Sequence, residues 1–332
     1  MRKFLLILLA MMPMAVWAQT GPFAPAQDKP GTTAMHADSS AFVAWAVDCV
    51  AEPGPMNISN PSAGLAGEGW PASNVIGVPQ GTMGVTCLGD GGRATVTFAS
   101  PICNREGPDF AVFENGFANQ GNPDLWFLEL GFVEVSSDGV NFFRFPAISL
   151  VPTDTQVGGF ACIDPSQIHN LASKYGAMYG TPFELDEIPD DPLLDKNNIT
   201  HVRIVDVVGC IQPEYCTYDS EGHIVNDPWP TQFPSCGMDL DAVGVIHDLE
   251  HFPGEGIAEN ECDNVSIYPN PATDFIHVVT CNGALVQIFN SVGQLVLTTE
   301  ETDINVSELS KGVYFVRVNI NENIATQRLI IE

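Results

Sequence analysis

The stretch that decides the fold is Phe132-Val-Glu-Val-Ser-Ser-Asp-Gly-Val-Asn-Phe-Phe-Arg-Phe145. Its two ends are short runs rich in valine and phenylalanine, residue types that favour β-strands. Its middle, Ser137-Asp-Gly139, is a turn signal because glycine readily adopts the positive φ that a tight turn requires. The stretch therefore predicts a β-hairpin.

Similar runs of alternating polar and apolar residues occur on both sides of this hairpin. They predict strands at Arg93–Phe98, Asp109–Glu114, His201–Asp206 and Leu240–Ile246. Short strands separated by turns rich in glycine, proline and asparagine are typical of all-β domains. We therefore predict a jelly-roll-like β-sandwich over residues 38–248.

Two short helices are expected within this sandwich. The first covers Ala41–Val50, with Asp38 or Ser39 as its N-cap. The second begins at Pro165, where the missing N–H costs nothing. The side chains that would share its inner face are Ile168, Leu171, Ala172 and Tyr175.

The N-terminal residues have the pattern of an export signal. Arg2 and Lys3 precede an apolar run that ends at Val16-Trp-Ala18. The run is shorter than the roughly 20 residues that span a bilayer. Residues 1–18 are therefore predicted to be a cleaved signal peptide, which leaves no membrane span in the mature protein. Residues 19–37, rich in proline, glycine and alanine, are expected to form an exposed leader.

The strand pattern stops after the first domain and then begins again. Residues 249–262 are acidic, contain Pro253 and read as a linker. From residue 263 a second series of short apolar runs continues to Ile331. These runs predict a small immunoglobulin-like β-sandwich at the C-terminus.

Specific motifs connect this second domain to a known family. The motifs are Val265-Ser-Ile-Tyr-Pro-Asn-Pro-Ala-Thr-Asp274, Val286-Gln-Ile-Phe-Asn-Ser-Val-Gly-Gln-Leu295 and Leu309-Ser-Lys-Gly-Val-Tyr-Phe-Val-Arg-Val318. In this order, over residues 263–332, they resemble the C-terminal sorting domain of type IX secretion substrates in Bacteroidetes. The resemblance implies handling by the type IX secretion machinery, removal of this domain, and a final location at the cell surface or in the medium, reached through the periplasm.

The first domain has a less specific resemblance. Asp109-Phe-Ala-Val-Phe-Glu-Asn115, Val133-Glu-Val-Ser-Ser-Asp-Gly139 and Met238-Asp-Leu-Asp-Ala-Val243 resemble a family of uncharacterised bacterial cell-surface proteins. The order of the strands is similar to that of discoidin-like, galactose-binding jelly rolls. The long insert at residues 150–198 departs from that pattern, so the ligand sites of discoidin-like domains are not carried over.

Composition excludes nucleic acid as a partner, and the cysteine content is compatible with disulfides. With 12 basic and 41 acidic residues, the net charge is −29, which repels nucleic acid. In an exported chain, some of the nine cysteines are expected to form disulfides. Cys210 and Cys216 are close enough in sequence to close a small loop, while Cys262 and Cys281 both fall in the C-terminal domain.

Acidic residues at strand ends are candidate calcium ligands. Asp239 and Asp241 flank Leu240, so on a strand both carboxylates point to one face. Oxygen donors from the neighbouring predicted strand are Asp109, Glu114 and Asn115. Calcium binds hard oxygen ligands of this kind. The alternative is that these acids face water or pair with arginines such as Arg93, Arg144 and Arg203.

Two further motifs have weaker chemical interpretations. His247-Asp-Leu-Glu-His251 matches the spacing of inverted zinc peptidases. Because Pro253 and Gly254 cut a helix short, a polar linker explains the motif better. Trp126 and Trp229 lie in loop-like sequence, where tryptophan can stack on sugars, although each ring can equally fold back onto the sandwich.

The sequence thus predicts an exported protein that binds a glycan or a small nutrient without catalysing a reaction. In this interpretation Trp126 and Trp229 contact the ligand, and calcium stabilises the loops. No catalytic residue is assigned. One alternative is a secreted hydrolase that acts through two carboxylates facing one cleft. The other is a structural surface protein without a small ligand.

Overall fold

The computed structural model describes residues 21–253, 266–279, 285–291, 293–320 and 323–332. The chain divides into two compact units, Met1–Gly254 and Glu255–Glu332. The predicted signal peptide, residues 254–262 of the predicted linker, Cys262 and Cys281 lie outside the described residues. In the part that is described, no helix is long and apolar enough to cross a membrane.

The described residues of the first unit form strands and four short 3₁₀ turns. The strands are β1 (Met35–His36), β2 (Ala44–Trp45), β3 (Asp48–Glu52), β4 (Thr86–Cys87), β5 (Arg93–Ile102), β6 (Phe110–Glu114), β7 (Phe117–Ala118), β8 (Trp126–Phe127), β9 (Gly131–Ser136), β10 (Phe143–Arg144), β11 (Ile148–Ser149), β12 (Ile168–His169), β13 (Leu171–Ala172), β14 (Tyr179–Phe183), β15 (Ile199–Asp206) and β16 (Asp239–Val245). The 3₁₀ turns are Pro61–Ala63, Ala72–Val75, Pro165–Gln167 and Leu185–Glu187.

Two antiparallel sheets of these strands form a β-sandwich. The first sheet has the order β1-β14-β6-β16-β2, with β4 also paired to β16. The second has the order β10-β9-β15-β5-β3, with β13 paired to β9. Alternate side chains of both sheets meet in one core, with Val112 and Leu240 from the first sheet and Val96 and Val202 from the second. The predicted all-β sandwich and the β9–β10 hairpin are confirmed.

The predicted helix over Ala41–Val50 is wrong, because this segment covers the outer face of the first sheet in an extended form. The rings of Phe42 and Trp45 each lie 5.5 Å from the ring of Phe113, which belongs to β6. The chain then continues as β3, which pairs with β5. An extended chain places the two aromatic rings across the sheet, and β6 and β16 are buried on both faces as a result.

The second predicted helix is also wrong, although its start has the predicted chemistry. Asp164 caps the turn by accepting the backbone N–H of Ser166 at 2.9 Å. The turn ends after Gln167, and Asn170 and Ser173 then adopt positive φ angles of 48° and 67°. A right-handed helix does not accommodate such angles. The apolar residues of this segment therefore enter the core from β12 and β13.

Residues 21–37, predicted as an exposed leader, lie along the first unit. The backbone N–H of Phe23 donates to the carbonyl oxygen of Ser166 at 2.7 Å. Met35–His36 forms the edge strand β1 and pairs with Tyr179 and Gly180. Ala26 is buried, whereas the other side chains of the segment keep partial or full exposure. The segment thus forms one border of the first unit.

Buried aspartates hold several loops of this unit in place. Asp206 accepts the backbone N–H groups of Met238 at 2.7 Å and of Gly91 at 2.8 Å. Asp227 accepts the N–H of Leu130 at 2.8 Å. Backbone N–H groups that are buried in a loop need a hydrogen-bond acceptor. Here a carboxylate oxygen takes the place of a water molecule as that acceptor. Part of the acidic composition therefore has a structural role inside the domain.

The described residues of the second unit form a smaller β-sandwich. Its strands are β17 (Ser266–Tyr268), β18 (Phe275–Val279), β19 (Leu285–Asn290), β20 (Leu295–Thr299), β21 (Asp303–Asn305), β22 (Gly312–Ile320) and β23 (Asn323–Ile331). One sheet has the order β17-β18-β21 and the other β20-β19-β22-β23. Apolar side chains such as Ile276, Val286 and Val316 fill the space between them.

The cysteines of the described residues are free thiols. Cys210 and Cys216, predicted as candidates for a small disulfide loop, are both unbonded. The backbone N–H of Gln212 instead donates to the sulfur of Cys210 at 3.4 Å. The described cysteines that are free are Cys49, Cys87, Cys103, Cys162, Cys210, Cys216 and Cys236.

Candidate functional site

Three of the five predicted calcium ligands come together at one end of the β6–β16 pair. Leu240 pairs with Glu114, so Asp239 lies next to the end of β6. The side-chain amide of Asn115 donates to Asp239 Oδ2 at 3.1 Å. Glu114 is fully buried and Asp239 is 7% exposed. We call Glu114 and Asp239 the carboxyl pair.

The carboxylates of the other two predicted ligands, Asp241 and Asp109, accept backbone N–H groups in other parts of the unit. A bulge at Asp241 turns its carboxylate toward a loop, where it accepts the backbone N–H groups of Gln80 at 2.8 Å and Gly81 at 2.9 Å. Asp109 lies at the opposite end of β6 and accepts N–H groups from Arg105 and Leu185, each at 2.9 Å. The five residues therefore do not form one site.

In each of the two carboxyl groups one oxygen accepts a hydrogen bond, and Glu114 Oε2 does so from the backbone N–H of Gly116 at 2.6 Å. Glu114 Oε1 and Asp239 Oδ1 are buried and have no hydrogen-bond partner among the described residues. Burial raises the pKa of Asp239 to about 6. Burial, followed by the charge of Asp239, raises the pKa of Glu114 well above its usual range. The arginines that were the alternative partners bind other acids: Arg93 pairs with Glu52, and Arg144 and Arg203 pair with Glu134.

Glu129 extends this acidic region and was missed from the sequence. Burial raises its pKa well above the usual range, and the charges of Asp239 and Glu114 raise it further. The signal in the sequence is its position between Leu128 and Leu130, which are both fully buried. Nevertheless, no three His, Cys, Asp or Glu side chains within the described ranges are arranged to hold a metal ion.

The His247–His251 motif lies in a turn and not on a helix. His247 Nδ1 lies 2.9 Å from Asp109 Oδ1. His251 Nδ1 lies 2.9 Å from Asp248 Oδ1. Each histidine thus has its own aspartate partner. The His247 contact joins the segment to Asp109, whereas the His251 contact lies within the segment.

The two predicted ligand-binding tryptophans are separated and partly or fully buried. Trp229 is 7% exposed, packs with Val208 and Cys210, and donates its indole N–H to Asp90 Oδ2 at 3.1 Å. Trp126 is half-buried against a different hydrophobic cluster. Neither ring offers a fully exposed face for stacking.

Phenylalanines form an exposed aromatic surface that was not recognised in the sequence. Phe117 stacks on Phe127 with ring centroids 4.8 Å apart, Phe127 on Phe160 at 6.1 Å, and Phe160 on Phe233 at 5.6 Å. We call these four rings the phenylalanine stack. Phe117 is 52% exposed and Phe160 is 72% exposed, whereas Phe233 is half-buried and Phe127 is 6% exposed. Contiguous exposed apolar surface marks interaction sites.

Three of the four rings, Phe117, Phe160 and Phe233, lie in segments without a charged residue. These segments are residues 117–123, 157–163 and 229–237, whereas Phe127 lies between Asp124 and Glu129. In a chain with 41 acidic residues, uncharged segments that meet through stacked rings are distinctive. Their exposed polar side chains are the amides of Gln120, Asn122 and Gln232.

A pocket of about 540 Å³ lies elsewhere on the first unit, between the 21–37 segment and residues 165–187. We call it the Lys174 pocket. It is lined by Phe23, Ala24, Thr33, Met35, Pro108, His169, Asn170, Lys174, Thr181, Pro182, Glu184 and Glu187. It brings two carboxylates, Glu184 and Glu187, to one cleft, which is the arrangement that the hydrolase alternative requires.

Lys174 is the most unusual group in this pocket. Its side chain is buried, and its Nζ donates to the carbonyl oxygens of Pro165, at 2.8 Å, and of Ile168. Burial lowers the pKa of Lys174 to about 7. Positive φ angles occur at Asn170, Ser173 and Met178, on both sides of the lysine. Strained backbone of this kind is concentrated at functional sites.

Comparison with known proteins identifies the second unit. Residues 266–332 match the secretion system C-terminal sorting domain. This unit is a type IX sorting domain. The match confirms the predicted export through the type IX pathway to the cell surface or the extracellular space.

Comparisons of the whole chain add no functional information. No curated protein is significantly similar to it. A β-glucuronidase of Ruminococcus gnavus has 12% identity and a TM-score of 0.20, covering 94% of this chain and 47% of its own. Its complex with a C6-substituted uronic isofagomine gives the same values. This chain spans about half the length of those proteins, and a TM-score of 0.20 indicates neither a shared fold nor a shared activity.

Proposed function

We propose that the first unit is a non-enzymatic binding domain for a neutral glycan, carried out of the cell by the sorting domain. The observation that supports this proposal is the phenylalanine stack, whose two exposed rings, Phe117 and Phe160, lie in segments without a charged residue. The rest of the molecule is strongly acidic and favours cationic partners, whereas this surface favours an uncharged one.

The chemistry of a sugar suits such a surface. Aromatic rings offer a large apolar contact area at low conformational cost, and sugar rings present C–H groups that pack against them. The exposed amides of Gln120, Asn122 and Gln232 can donate to and accept from hydroxyl groups. The stack thus takes the role that the sequence assigned to Trp126 and Trp229.

Replacing Phe160 with alanine is expected to weaken glycan binding at least tenfold. The ring is 72% exposed, so its loss removes contact area for the ligand at little cost in stability. Retention of the mature protein on an array of neutral glycans measures the effect. The control is Val140→Ala, since Val140 is 79% exposed in the β9–β10 hairpin. Equal retention of wild type and Phe160→Ala would reject the proposal.

Calcium enters this proposal at the carboxyl pair alone. Glu114 Oε1 and Asp239 Oδ1 have no partner among the described residues, and two ionised carboxylates side by side favour a divalent cation. Main-chain oxygens and water would have to complete the ligand set, because the described residues hold no three-side-chain cluster.

A further inference from the structure

Lys174 is a buried base in an acidic protein, yet it forms no salt bridge within the described ranges. Lys29 and Lys196 pair with Asp124 and Asp190 at 2.9 Å and 2.8 Å. Within the described ranges, the hydrogen bonds of Lys174 Nζ go to main-chain carbonyl oxygens, and no carboxylate forms a salt bridge with it. A buried ammonium group without a counter-ion is costly. A ligand that carries a negative charge would supply the missing counter-ion in this pocket.

The geometry of the nitrogen leaves one position for a ligand. An ammonium group has three N–H donors, and two of them are taken by the carbonyl oxygens of Pro165 and Ile168. These two bonds fix the side chain in place, and Lys174 lines the pocket. The third N–H group is therefore held ready for an acceptor inside the cavity.

Two carboxylates also line the pocket, those of Glu184 and Glu187. Glu184 Oε1 accepts the backbone N–H of Gly107, and Glu187 Oε2 accepts the side-chain amide of Asn170. The second oxygen of each carboxylate has no such partner among the described residues. The carboxylate that raises the pKa of Lys174 is Asp164, so Glu184 and Glu187 act on the pocket and not on the lysine.

His169 lies near groups of both charges, with its Nε2 3.9 Å from Glu187 Oε2. Its pKa is lowered mainly by burial, while Glu187 raises it and Lys174 lowers it. The histidine thus lies near both groups, with the ring of Phe23 stacked on it at 5.0 Å. The lining of the pocket thus combines a basic group, two carboxylates and apolar residues such as Met35 and Pro182.

We propose that the Lys174 pocket binds a small zwitterion, namely a free α-amino acid with an apolar side chain. The carboxylate of the ligand accepts from Lys174, and its ammonium group donates to Glu184 and Glu187. The apolar walls hold the side chain. This site is separate from the phenylalanine stack and takes a different class of ligand.

Calorimetric titration of the mature protein with L-leucine, L-leucinamide and N-acetyl-L-leucine tests the proposal. Leucine is expected to bind saturably, and each derivative, which lacks one of the two charges, is expected to bind at least tenfold more weakly. If both derivatives bind as tightly as leucine, or if neither leucine nor any other common amino acid binds, the proposal is wrong. Chemical conversion of the bound amino acid would also overturn it.

Variants assign the binding to this pocket. The double variant Glu184→Gln, Glu187→Gln keeps the size of the side chains and is expected to weaken leucine binding at least tenfold. The same variant should bind N-acetyl-L-leucine as the wild type does, because that probe has no ammonium group. Glu214→Gln removes one charge from an exposed loop and serves as the control. Phe160→Ala should leave leucine binding unchanged, and a matching loss there would contradict a separate site.

Discussion

Replacing Asp109 with alanine is expected to lower the free energy of unfolding of the first unit by about 3–6 kcal/mol. Asp109 is fully buried and joins its own loop, at Arg105, to two distant segments, at Leu185 and His247. It accepts the backbone N–H groups of Arg105 and Leu185 and contacts His247 Nδ1, each at 2.9 Å. Each buried donor that loses its acceptor costs about 1–3 kcal/mol. Since small domains are stable by only about 5–15 kcal/mol, the loss is a large fraction of the total.

Tryptophan fluorescence during urea unfolding measures this effect in the first unit alone. Residues 255–332 contain no tryptophan, whereas the mature first unit contains Trp45, Trp70, Trp126 and Trp229. The matched control is Asp48→Ala, because Asp48 is exposed and accepts only the N–H of the adjacent Cys49. It should leave the unfolding free energy nearly unchanged. An Asp109→Ala variant as stable as this control would show that Asp109 does not hold the three segments.

The role of Asp109 shows what the sequence could and could not predict. The alternation of polar and apolar residues identified β6 and β16, because strand periodicity is a local property. The contact between Asp109 and His247 joins residues that are 138 positions apart. This contact forms only in the folded chain, so no local pattern in the sequence predicts it. The sequence therefore predicted an acidic residue at the strand end but assigned it to a metal, whereas the structure uses it as a structural acceptor.

The same limit explains the errors in the helices and the aromatic residues. Asp164-Pro165 has a helix-start pattern, but nothing local shows that Asn170 and Ser173 adopt positive φ. Trp229 is buried because a distant carboxylate, Asp90, accepts its indole N–H. The motifs of the sorting domain are contiguous, so that identification was confirmed. The resemblance of residues 38–248 to discoidin-like domains stays a prediction.

In the presence of a chelator, the free energy of unfolding of the first unit is expected to decrease as the pH rises through about 6. The pKa of Asp239 is raised from 3.8 to about 6 in the folded protein, chiefly by burial. Between these values the native state holds a proton that the unfolded state has lost. This contribution is therefore fully present below pH 3.8 and is lost as the pH passes about 6. The total loss from this group is about 3 kcal/mol, and Glu114 acts in the same direction.

Asp239→Asn isolates this contribution, because asparagine does not titrate and keeps an oxygen for Asn115. The variant should become more stable relative to wild type by about 1–2 kcal/mol between about pH 5 and about pH 8. The tryptophan-detected urea transition measures the difference. The control is Asp138→Asn. Asp138 lies in the exposed part of a hairpin, and hydrogen bonds from N–H donors lower its pKa. Its contribution to the free energy of unfolding therefore changes only in more acidic solution. If the difference in unfolding free energy between Asp239→Asn and wild type does not change with pH, the prediction is wrong.

Adding millimolar calcium to the same experiment separates a bound cation from a bound proton. If calcium occupies the carboxyl pair, it stabilises wild type at about pH 8, where Asp239 is ionised, more than at about pH 5, where protons compete. Asp239→Asn should then lose the calcium response, because one charged ligand is gone. We expect this pattern. If calcium has no effect at either pH, the buried oxygens are held by protons alone, and calcium is removed from the proposal while the pH dependence remains.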